Sequence, residues 1–80
     1  MNYTFDQFKQ DLFEGREVEF KYKGDDFSIT KTKNGICFCK FYEDDICFPN
    51  PQELINNVKI EGKSLEVIFS LNEFELETLF

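Results

Sequence analysis

The sequence predicts one α+β domain over residues 1–80, an N-terminal helix packed on a three- to five-stranded antiparallel sheet with one or two further short helices. Three observations predict it. A capped helical period opens the chain, period-two alternation takes over at Glu17, and the isolated Gly24, Gly35 and Gly62 divide the rest of the chain into short segments. Eighty residues are near the small end of what folds unaided. Eleven Phe and three Tyr compensate, since each buried aromatic removes about 150–250 Å² from water.

Thr4-Phe5-Asp6-Gln7 has the form of a capping box, and Phe5, Phe8, Leu12 and Phe13 succeed it at helical spacing to a stop at Gly15, giving a helix over 5–13. From Glu17, Val18, Phe20 and Tyr22 share one face and Glu17, Glu19, Lys21 and Lys23 the other, the pattern of a half-buried strand. A Gly24-Asp25 turn leads to a second strand over about 26–32, where Phe27, Ile29, Thr30 and Thr32 fit. Asn34-Gly35 suits a type I′ turn, with positive φ at both positions. A third strand over 36–42 is apolar on both faces, which predicts a central position. Glu43-Asp44-Asp45 forms a charged turn before a short strand at Ile46-Cys47-Phe48.

Asn50-Pro51-Gln52-Glu53 starts a second helix, with Asn as cap and Pro at the first helical position, ending near Asn57. Residues 58–61 return to extended structure before a Gly62-Lys63 turn. Ser64 caps a third short helix carrying Leu65, Ile68 and Phe69, and residues 73–77 alternate as a final strand. The expected core is Phe5, Phe8, Leu12, Val18, Phe20, Tyr22, Ile29, Phe38, Leu54, Ile55, Ile68 and Phe69.

The chemistry-bearing residues point away from catalysis. There is no His, so the usual general base near neutral pH and the usual activator of a Ser or Cys nucleophile are missing. Four isolated glycines make no phosphate-cradling loop. No enzyme activity and no cofactor are expected. Cys37-x-Cys39 with Cys47 is the candidate metal or redox set: residues i and i+2 of a strand share a face. Zinc, however, needs a fourth ligand, which an acid such as Asp44 or Asp45 would have to supply. The alternative is that these thiols fill core or half-core positions. The odd cysteine count and the missing apolar leader predict a cytoplasmic protein, and no apolar run reaches the ~18 residues of a spanning helix.

Charge is divided unevenly. Residues 1–40 are balanced, and residues 41–80 carry the whole net charge of -7. Such a chain approaches a basic surface, not bare nucleic acid or an anionic membrane. Glu43, Asp44 and Asp45 in the turn are the first candidate contact residues. Glu73, Glu75 and Glu77 are the second, a row at period two with carboxylates about 6.8 Å apart. The competing reading of that row is a solvated edge strand guarded against aggregation.

The stretches GREVEFKYKGDDFSIT at 15–30 and NPQELINNVKIEGKSLEVIF at 50–69 resemble small uncharacterised acidic proteins of low-GC Gram-positive bacteria and their phages. The opening YTFDQFKQDLFEG is similar to the start of the paratox family, phage-encoded acidic inhibitors of a competence regulator. The resemblance implies an interaction protein and supplies no functional residue. The sequence reading is therefore a non-catalytic acidic module, protein-binding or inhibitory, that docks on a basic partner and is directed at nucleic-acid-binding machinery. The alternatives are a self-associating domain, with a homodimer through a strand edge or the Leu79-Phe80 end, and a small cysteine metal protein.

Overall fold

The computed structural model describes residues 3–79. The elements are α1 (Phe5–Phe13), β1 (Val18–Tyr22), β2 (Asp25–Thr32), β3 (Gly35–Lys40), β4 (Ile46–Phe48), α2 (Pro51–Asn57), β5 (Lys59–Ile60), β6 (Lys63–Ser64), α3 (Leu65–Ser70) and β7 (Phe74–Leu79). The architecture is the predicted α+β class.

Local chemistry starts each helix. The side chains of Thr4, Asn50 and Ser64 accept hydrogen bonds from the backbone N–H groups of Gln7 (3.1 Å), Glu53 (2.9 Å) and Val67 (3.2 Å). The Gln7 amide does not complete a reciprocal box; it donates to Asp11 at 3.1 Å, one helical turn on. In α1, Phe8 and Leu12 are buried, Phe5 is half-buried and Phe13 faces out.

Two turns fall one residue earlier than the glycines suggested. Positive φ occurs at Lys23 (51°) with Gly24 (83°), and at Glu61 (54°) with Gly62 (78°). In each the glycine takes the second central position of a primed turn, so Asp25 and Lys63 pass into strands. Asn34-Gly35 is also corrected. Gly35 has φ 115°, but Asn34 is not at positive φ. The Thr32 side chain closes this turn, accepting from the Asn34 N–H at 3.1 Å and donating to the Gly35 carbonyl at 3.2 Å.

The main sheet is antiparallel throughout, in the order β4-β3-β2-β1-β7, and β5 pairs with β6 as a separate small ribbon. β2, not β3, is the middle strand. β3 is apolar on both faces for another reason: Ile36 and Phe38 enter the core, while Cys37 is buried on the opposite face against β4. Phe41 and Tyr42, expected at the end of β3, lie in the turn after it.

One sheet face carries Val18, Phe20, Tyr22, Phe27, Ile29, Ile36 and Phe38, and the buried apolar residues of all three helices join them in one cluster. Ten of the expected core residues are buried there; Phe5 and Phe69 pack against its margin. Leu65 and Phe27, which the sequence reading left out of the core, are buried, as are Ile36, Val58 and Ile60. Among the described residues no helix is long and apolar enough to cross a membrane.

Gly35 meets two demands. Its positive φ favours glycine, and a Cβ there would lie 2.1 Å from the Phe48 carbonyl oxygen of the β4 end. Gly35→Ala is expected to destabilise the protein by about 1–3 kcal/mol, measured by urea unfolding; an unchanged midpoint would refute this close approach.

Candidate functional site

The three helices occupy one face of the sheet, and the opposite face bears the charged half of the alternation. Lys21 on β1 lies opposite Asp26 on β2 and Glu75 on β7, a row of three across three strands. Glu19 lies opposite Ser28 and Thr78 in the next row. The Lys21 Nζ is 3.9 Å from the buried Asp26 Oδ1.

Glu77 joins this group through a β-bulge. Phe20 is opposite Leu76 and Glu19 opposite Thr78, so Glu77 is the extra residue on β7. The bulge restores Leu79 to the core side, opposite Val18. The Glu77 carboxyl is held above its ordinary value, first by the hydrogen bond its protonated form makes with Asp26, then by burial and the Asp26 charge; Lys21 opposes and Glu19 adds to the rise.

The six candidate acids therefore do not form one row. Glu73 precedes β7 and pairs with Lys23 (3.9 Å), which also bonds Glu61 at 3.3 Å, linking the tips of two turns. Glu75 and Glu77 lie on β7. Glu43, Asp44 and Asp45 sit exposed in the β3–β4 turn, separated from β7 by β2 and β1. Lys40 lies 3.5 Å from both Glu43 and Asp25. Tyr42, fully exposed at φ 75°, and the exposed Phe41 stand beside this acidic turn. The sequence pattern alone assigns both to a strand.

The cysteines separate into two kinds. Cys37 and Cys47, directly opposite on β3 and β4, form a disulfide. Two of the three sulfurs of the candidate metal set are thereby committed to each other. Cys39, the free thiol, is half-buried and lies within 3.5 Å of the Lys40 and Glu43 carbonyls. Its thiol is raised, first by a hydrogen bond with Asp45, then by burial and the charges of Asp45, Glu43 and Asp44. That opposes formation of a nucleophilic or ligating thiolate.

At the other margin, α1 and β7 flank a groove of about 720 Å³ lined by Tyr3, Gln7, Asp11, Phe74, Leu76 and Leu79. Asp11, 1% exposed, is its buried charge. It accepts from the Tyr3 hydroxyl at 2.6 Å and the Gln7 amide at 3.1 Å, and Arg16 lies 3.8 Å away. Burial and this carboxylate raise the Tyr3 phenol, so it remains a donor. The sequence reading did not single out Asp11; its position four residues after Gln7 is the one local signal of the contact. The candidate Leu79-Phe80 end lies partly outside the described residues, and Leu79 is half-buried against the core.

Comparison with protein-family models, with curated proteins and with solved structures finds no match to this chain.

Alkylation of the unfolded, unreduced protein is expected to modify one thiol, Cys39; three modified cysteines by mass spectrometry would refute the disulfide. Glu77 generates a pH dependence. With a folded pKa above the unfolded one, it favours the folded state while protonated, and that contribution is lost as pH rises from the ordinary 4.5 through the raised folded value. Glu77→Gln should therefore raise the urea midpoint over wild type at neutral pH, with the difference vanishing below about pH 4.5. A difference of the same size at both pH values would contradict it.

Proposed function

We propose that the chain is a non-catalytic acidic module, protein-binding or inhibitory, that docks on a basic surface of another protein. The observation carrying this reading is the helix-free sheet face, where Glu19, Asp26, Glu75 and Glu77 surround a single lysine, Lys21. Charged groups so arranged favour encounter with a basic partner and disfavour nucleic acid and anionic membranes. The raised thiol of Cys39 and the absence of His support a non-catalytic role. The resemblance to acidic phage and bacterial proteins agrees with an interaction protein, a class that includes inhibitors of nucleic-acid-binding machinery.

The odd cysteine count is the sequence feature that favours a cytoplasmic location. The Cys37–Cys47 disulfide counts against it, because cytosolic thiols are kept reduced.

The test is capture of partners from bacterial lysate at low and moderate salt, with wild type beside the double variant Glu75→Lys, Glu77→Lys. A basic protein held by wild type at low salt, released by salt and lost from the variant is the expected result. Partners retained equally by both proteins would overturn the reading.

A further inference from the structure

The sheet's two edges are not alike. β4 is three residues long and tied to β3 by the disulfide. β7 is six residues long, and among the described residues no strand pairs with its outer side. Alternate residues of such an edge, interrupted here at the Glu77 bulge, present N–H and C=O groups to solvent, a template for another strand. Beside that edge runs the groove under α1, where Leu76 is 37% exposed and Phe74 and Leu79 are half-buried.

We propose that β7 receives an extended basic segment of the partner protein as an added sixth strand. In that segment apolar residues would face the groove and alternate with Lys or Arg facing Glu75 and Glu77. The proposal rests on the acidic docking reading and names how the partner engages.

Charge complementarity selects this occupant. An added strand lies one position beyond β7 in the row that already runs Asp26, Lys21, Glu75. A cation next to Glu75 continues the alternation of sign across the face, and opposite charges on neighbouring strands stabilise the pairing. A second copy pairing antiparallel through β7 would bring Glu75 and Glu77 against the same acids, which destabilises it. The charges that oppose self-association therefore favour a basic strand. The period-two geometry also fits both faces of one segment: its inward side chains meet Phe74 and Leu76, and its outward ones meet Glu75.

The probe is a capped synthetic peptide, Val-Lys-Val-Lys-Val-Lys, titrated into the full chain at low salt. Two N-methylated forms, methylated on the valines or on the lysines, accompany it. Strand addition uses the N–H groups of one alternate set only. One methylated form is expected to bind on the order of tenfold or more weakly than the parent, through loss of its backbone bonds, and the other nearly normally. Amide shifts should concentrate in Phe74–Leu79. Equal binding of both methylated forms with the parent would overturn strand addition yet leave acidic docking standing if Glu75→Lys, Glu77→Lys still abolishes it. No binding of the parent peptide, or a concentration-dependent dimer that protects the β7 amides, would overturn strand addition. The docking reading is decided separately, by the lysate capture with the charge-reversed chain.

Discussion

A continuous series of phenylalanine ring contacts, stacked as far as Phe69 and tilted at Phe8, holds this small molecule together. It begins at Phe38 on β3 and passes to Phe27 on β2 (5.6 Å between centroids), then to Phe20 on β1 (5.2 Å) and Phe74 on β7 (4.4 Å). It leaves the sheet at Phe69 of α3 (4.1 Å from Phe74) and reaches Phe8 of α1 at 5.1 Å. Six rings thus join four strands and two helices. A chain of this length has little interior volume, and large planar side chains remove more surface from water per residue than aliphatics do. The stack also explains how β7, distant in sequence from β1, is held beside it: Phe74 touches rings from both the sheet and α3.

Because that stack and all three helices lie on one side, the other side of the sheet remains polar. Its charges are distributed by register, as where Lys21 is flanked by Asp26 and Glu75 on the neighbouring strands. The bulge at Glu77 follows from the same division of faces. Phe74, Leu76 and Leu79 all belong on the core side, yet Leu76 and Leu79 are an odd number of residues apart, so strict alternation would turn one of them outward. One extra residue reconciles them, and the carboxylate it carries is placed next to Asp26. The acidic face and the open β7 edge are therefore consequences of how the core is built.

Much of the local structure was legible in the sequence. Thr4, Asn50 and Ser64 cap their helices because a short polar side chain next to an apolar helical period satisfies free N–H groups wherever it occurs. The turns were legible only to within a residue: glycine marks positive φ, but Lys23 and Glu61 share it, and there the position within the turn is set by strand pairing. The Cys37–Cys47 bond was half legible. A hairpin centred on Tyr42 sets 37 opposite 47, but the sequence does not choose that centre over one shifted by a residue.

The sequence by itself determined the class of every element except the two-residue β6, and which side of each long strand is apolar, because those depend on near neighbours and on periods of 3.6 and two. Only the tertiary structure decided which strands are neighbours. It placed β2 in the middle, β7 at the open edge, Glu73 beside Lys23 and Asp11 beneath Tyr3. Alternation tells a strand which face to bury and nothing about which strand lies beside it. That choice is made when remote side chains, above all the stacked phenylalanines, pack against one another.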